Sequence, residues 1–351
     1  MRSWFGLWLP VSTRAPCLRQ TFVMGACFLT LLAESACIGT SGSDSGRRGE
    51  PGIVILSPSP FASAIRDQRG EHQARIAPVD IELEVSGLDS VELWADGVMV
   101  GGSQVGDTSM NLTAAIESTG SVVLEARGLA SDDTVIASTE TTVEIKDPNF
   151  SCIEWLDFFA IDYQRAGPQP GIETPINVMF PLLGIEYRYN GSKKKRDNLL
   201  GDCTLIHALA ESTSSLLRRN ITMVIDIGVY NYRCIGGGKP PNCPNGISQH
   251  AYATAIDIAG YQTADGATYI VNDDWVIDPD EQETCAADTE NDNDRFLHET
   301  ICEQKRRGIW NIVLTPNFNS AHRNHFHVDL TKGADFTNFQ VSPHNDPYDS
   351  D

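Results

Sequence analysis

Basic residues are scarce in this chain. Its 351 residues include 26 Lys and Arg against 47 Asp and Glu, for a formal net charge of −21. A surplus of that size repels phosphate backbones and anionic lipid, so no nucleic-acid partner is expected. No CxxC pair occurs, which argues against a structural zinc–thiolate site. Between Cys37 and Cys152 there is no cysteine and a single histidine, His72, so that stretch holds no constellation for chemistry. The apolar run TFVMGACFLTLLA is too short for a comfortable membrane span, which takes roughly 20 residues. The acidic stretch from 272 to 294 lacks the DxDxDG order of the usual calcium loop, and a solvated insertion tied down by Cys285 is expected there.

The N-terminus carries an address. Arg14 and Arg19 precede the apolar run, and small residues lead to Cys37 in ESAC, so residues 1–37 read as an export signal and 38–50 as a Gly/Ser linker. The arrangement resembles a bacterial lipoprotein signal, in which Cys37 becomes the acylated N-terminus and attaches the chain to a membrane. Glu34 stands where an aliphatic residue is usual, and cleavage without lipid stays open. Either way the chain is expected to be exported, to a bacterial cell envelope or beyond. The six later cysteines, Cys152, Cys203, Cys234, Cys243, Cys285 and Cys302, then suggest three disulfides, with fifteen connectivities open.

Residues 51–147 hold short period-two runs, among them VDIELEV, SVELWADGVMVGG and STETTVEIKD, separated by turn residues at roughly ten-residue spacing. This pattern predicts an all-β sandwich, and it resembles the immunoglobulin-like modules attached to bacterial surface enzymes. DPNF marks a boundary, and residues 148–340 predict an α+β domain of catalytic type around a small antiparallel sheet. Its first helix is expected over 203–219, with His207 packed or at the surface, followed by a strand from Ile221 to Tyr230. A short strand is expected at 267–271 and a helix at 294–307 with Gly308 as its stop; IWNIVLTP and HFHVDL close the domain as strands. Residues 341–351 read as an acidic, disordered tail.

The chemistry concentrates in two places. In HFHVDL, alternation points Phe326, Val328 and Leu330 into the core and turns His325, His327 and Asp329 the other way. The same reading of AIDI buries Ile256 and Ile258 and turns Asp257 outward. Polar groups on an otherwise apolar sheet need partners, because burying them alone costs several kcal/mol. His250, Asp257 and His327 make two imidazoles and a carboxylate, a ligand set for one catalytic zinc that leaves a position open. Zinc of that kind polarises a carbonyl and activates water at neutral pH.

SQHAYATAIDIAGY followed by AHRNHFHVDL closely resembles the extensin-like C-terminal domain, a relative of the zinc D-alanyl-D-alanine carboxypeptidases and murein endopeptidases acting on peptidoglycan. The similarity covers about residues 150–332 and includes GDC at 201–203, Tyr232, Arg233, Cys234, Trp275 and Cys302. It implies zinc ligation by His250, Asp257 and His327. It also implies His325 as general base or transition-state stabiliser, His322 as a supporting or substrate-facing residue, and Arg233 as a clamp on a substrate carboxylate or carbonyl. Asn324 stands where many relatives carry an acidic base. The function this implies is an exported zinc peptidase cutting amide bonds of peptidoglycan peptides. The alternative is a cell-envelope binding protein that keeps the zinc-peptidase fold without turnover.

Overall fold

The computed structural model describes residues 50–277, 284–286 and 288–337. The segment read as an export signal with Cys37, the segment read as a linker up to residue 49, part of the acidic loop (278–283 and 287) and residues 338–351 lie outside the described residues.

Alternation governs the N-terminal half. In the strand Arg75–Ser86, Ile81, Leu83 and Val85 turn inward while Asp80, Glu82 and Glu84 face solvent. Gly52–Ser57, Gln68–Arg69 and Ser109–Ile116 complete a four-stranded sheet with it. Ala62–Ile65, Val135–Lys146, Gly120–Leu129, Ser90–Ala95 and Val98–Gln104 form a five-stranded sheet in that order. Their inward residues, including Leu93, Leu124, Ala126, Val143 and Ile145, share one core with Ile81 and Leu83. Burying each large aliphatic side chain is worth about 1.5–3 kcal/mol. Ser109–Ile116 escaped the sequence pattern because small Ala114 takes an inward place among Ser, Asn and Thr.

The C-terminal half begins with a helix that the sequence reading missed, α1 (Cys152–Phe158), ahead of the one expected at 203. Its capping box was legible in SCIE: the Ser151 hydroxyl accepts from Glu154 N, and the Glu154 carboxylate accepts from Ser151 N. Helix α2 (Cys203–Arg218) is capped by Asp202, whose carboxylate accepts from Thr204 N, and Asn220 ends it at φ 59°. Helix α3 (Asp292–Arg306) starts at Asn291 and is followed by Gly308 at φ 67°.

The helices accompany a seven-stranded sheet: β1 (Glu186–Tyr189), β2 (Ile221–Gly228), β3 (Ala255–Thr263), β4 (Thr268–Ile270), β5 (Ile312–Leu314), β6 (Phe326–Asp329) and β7 (Phe336–Thr337). Its order is β1-β2-β3-β6-β5-β7, with β4 paired to β3. The two outer pairs, β1 with β2 and β5 with β7, are parallel, and the remaining pairs are antiparallel. A separate three-stranded sheet joins Tyr163–Arg165, Pro175–Met179 and Asn198–Asp202. Among the described residues, strands make up 42% and helices are few, so this part of the molecule is mostly β.

Of the fifteen pairings, the structure has Cys152–Cys203, Cys234–Cys243 and Cys285–Cys302. The first joins α1 to the start of α2, and the third ties the acidic loop to α3. Within that loop, carboxylates serve the backbone. Asp274 accepts from Ile270 N at 2.6 Å and Asn293 Nδ2 at 2.8 Å, and Asp294 accepts from Val276 N at 2.9 Å and Glu290 N at 3.1 Å. Among the described residues, no helix is long and apolar enough to cross a membrane.

The sandwich meets the C-terminal half through buried charge. Arg75, 2% exposed, lies 3.7 Å over the Trp155 ring of α1, with Nε 2.7 Å from Glu211 Oε1 on α2 and Nη2 3.1 Å from Asp147. Glu117 of the sandwich pairs with Arg218 at 2.8 Å and Arg307 at 2.7 Å.

A candidate metal centre

Strand register assembles the site. Asp257 on β3 stands opposite His327 on β6, with Ile256 and Ile258 of β3 and Phe326 and Val328 of β6 buried on the other face. His250 comes from a single 3-10 turn, Gln249–Tyr252, entered through Ser248, whose hydroxyl accepts from His250 N. The turn ends at Ala253 with φ 52°. A neighbouring loop presses on it: Gly171 has φ +81°, and a Cβ there would lie 2.3 Å from the Ala251 carbonyl. Only glycine lets this loop pass so near the His250 turn.

Three lone-pair atoms converge. His250 Nε2 lies 3.1 Å from Asp257 Oδ1 and 3.2 Å from His327 Nδ1, and His327 Nδ1 lies 2.9 Å from the same Asp257 oxygen. The opposite edge of each imidazole is committed. His250 Nδ1–H donates to the Val229 carbonyl at 2.7 Å, and His327 Nε2–H donates to Asp329 Oδ2 at 3.0 Å. With those protons placed outward, the inward atoms are acceptors facing one another, an arrangement that a cation relieves. The ring orientation set by carbonyl and carboxylate partners is that of histidines ligating a metal. The donor set fits zinc: two imidazoles and a carboxylate within 4.8 Å of one another, the one such group of three among the described residues.

Burial and hydrogen bonding compete in setting the charge on these groups. Burial works against charge on His327, but hydrogen bonds to Asp257 and Asp329 push its pKa up to about 9. Burial would raise Asp257, yet hydrogen bonds from His250 and His327 hold it well below the usual carboxylate range. Asp329 is likewise lowered, its hydrogen bond with His327 outweighing burial.

The two remaining histidines flank this set. His325 Nδ1–H donates to Asn324 Oδ1 at 2.8 Å, which leaves Nε2 as an acceptor 3.5 Å from Asp257. His322 Nδ1–H donates to Asn319 Oδ1 at 2.6 Å, and its ring centroid lies 5.2 Å from that of His325 and 5.9 Å from that of His327. Burial pushes His322 down to about 3 and lowers His325 as well. Arg233 sits on the loop beside the His250 turn, where its carbonyl accepts from Ser248 N. Among the described residues its guanidinium makes no hydrogen bond or ion pair.

Several supporting groups were not read from the sequence. Asp329 was legible on the right face but not as the partner of His327. Asn319 and the Val229 carbonyl carried no signal. His207 lies away from the set, stacked on Trp155 with its ring centroid 5.2 Å away.

No curated protein matches the chain. Among solved structures it is similar to fibronectin(III)-like modules of Clostridium thermocellum CbhA, at 12% identity and TM-score 0.22, over 28% of this chain and 99% of that one. It is also similar to a Bacteroides uniformis β-glucuronidase at 17% identity and TM-score 0.22, over 29% of this chain and 11% of the enzyme's length. Residues 203–339, the segment that carries α2, the seven-stranded sheet from β2 onward and all six residues of the candidate site, match the family described as Extensin-like protein C-terminus.

Proposed function

We propose that this chain is an exported zinc peptidase of α+β type, related to the D-alanyl-D-alanine carboxypeptidases and murein endopeptidases, hydrolysing amide bonds of peptidoglycan peptides. The observation that carries the reading is the inward convergence of His250 Nε2, His327 Nδ1 and Asp257 Oδ1, with both imidazoles locked from behind. Zinc held there supplies a Lewis acid that polarises the scissile carbonyl and activates water. The residues of the chain do the rest. His325, kept neutral by burial, accepts a proton at Nε2 while Asn324 holds its Nδ1–H. His322 lines the same side, and Arg233 offers a forked donor to a substrate carboxylate or carbonyl.

Asn324 supports a second reading, a binding protein without turnover, because an amide cannot act as the base that many relatives place there. The decisive experiment is elemental analysis of the purified oxidised protein together with digestion of peptidoglycan fragments. About one zinc per chain, lost in His327→Ala, with release of amino groups by the parent, is the expected result. Zinc without hydrolysis, joined by activity gained in Asn324→Asp, selects the binding protein. A folded chain that takes up no zinc removes the peptidase and leaves a binding or structural domain.

A further inference from the structure

Four consecutive cations, Lys193, Lys194, Lys195 and Arg196, stand in a chain dominated by acidic residues, and none has a part in the chemistry above. They occupy the turn that follows β1, and the three lysines are exposed. The turn is rigidly seated. Arg196 makes a two-pronged ion pair with Asp226 of β2 at 2.8 and 2.6 Å, and Asp226 is fully buried. Asn190 N donates to the Asp226 carbonyl at 2.7 Å, and Arg188 Nη1 donates to Ser192 O at 2.6 Å.

Register places the strand end that leads into this turn two strands from the metal-ligand set. Tyr189 at the end of β1 pairs with Asp226, and two residues further along β2, Gly228 pairs with Asp257, which in turn pairs with His327. From β1 to β3 is two strand spacings, about 10 Å, the reach of about three residues of extended peptide. Lys194 with Asp197 and Lys195 with the half-buried Glu186 are pairs of little strength, and Lys193 has no ion pair among the described residues, so the ammonium groups can exchange partners. Tyr189, 47% exposed, adds an apolar surface next to them.

We propose that Lys193, Lys194 and Lys195 form a docking platform for short peptides bearing free carboxylates, holding the acidic part of the peptide while a nearby amide bond lies over the His250, Asp257 and His327 set. The choice of a peptide rests on the amide-hydrolysis reading, whereas binding itself requires no turnover. A short peptide with a few carboxylates fits this small patch, while the net charge of −21 repels a long polyanion.

The test is calorimetric titration of the full chain, with and without added zinc, using a synthetic pentapeptide with three free carboxylates and its fully amidated counterpart. The parent is expected to bind the acidic peptide about tenfold more tightly at low salt, with the difference shrinking between about 20 and about 300 mM salt. The combined variant Lys193→Gln, Lys194→Gln, Lys195→Gln should lose that preference while keeping its melting temperature and zinc content. A parent without the preference, a variant that retains it, or polyphosphate displacing the acidic peptide with higher affinity than the peptide itself overturns the platform. If zinc and turnover are absent while the lysine-dependent preference persists, the platform stands and the peptidase reading falls. Turnover indifferent to the lysines gives the reverse.

Discussion

At the scale of single residues, His327 shows how one side chain serves three partners. Its Nδ1 faces Asp257 and His250, and its Nε2 is tied to Asp329, which is itself fixed by accepting from Thr331 N at 2.8 Å. Replacing Asp329 by Asn keeps the volume but removes the charge that fixes the ring. Zinc affinity should fall by about 10- to 100-fold, read by competition with a chelator, while the circular dichroism spectrum stays unchanged. Parent-like affinity would show that Asp329 does not orient His327. Strand alternation already placed His327 and Asp329 on one face in the sequence. That they touch depends on rotamers, which a linear pattern does not encode.

Among the elements, α3 carries a titratable group that a sequence pattern reads only as a buried position. His298 stacks on Trp275 with ring centroids 3.8 Å apart and donates Nδ1–H to the Thr284 carbonyl. Burial lowers its pKa, outweighing the nearby Asp294. The unfolded chain therefore binds a proton near its ordinary value of about 6.5, while the folded chain does not. Stability from this group is complete above that pH and is lost as the pH falls through it toward the depressed folded value. Denaturant titrations of the parent and of His298→Phe, which keeps the stack, should differ in slope over this window, with the variant the less sensitive to acid. Equal slopes would locate the acid sensitivity elsewhere. Helices α2 and α3 were legible because their apolar periodicity and stop residues are local. Helix α1 was missed because it is short, and its Ser/Glu capping box was the one available signal.

For the whole molecule, the junction between sandwich and C-terminal half matters most. Arg75 comes from a sandwich strand and is enclosed by Trp155, Glu211 and Asp147. Arg75→Ala would leave Glu211, only 10% exposed, without its nearest charged neighbour and should cost about 3–5 kcal/mol, seen as a lower melting temperature. Arg75→Met, which fills the space but also leaves Glu211 with only the more distant Arg66 at 3.9 Å and His207 at 3.4 Å, should recover little of it. A variant as stable as the parent would mean that the two halves hold together through their other pairs, such as Glu117 with Arg218 and Arg307.

By itself the sequence determined which residues alternate, where α2 and α3 start and stop to within two residues, and that Asp257 and the HxH strand carry polar groups on apolar strands. These are properties of neighbours along the chain, where backbone geometry acts over a few residues. Only the tertiary structure decided which of fifteen disulfide pairings forms, that Asp329 backs His327, that Gly171 closes on the His250 turn, and that the lysine turn lies two strands from Asp257. Each joins segments whose meeting depends on sheet order and register, and that order is set by how the whole chain packs its apolar surface.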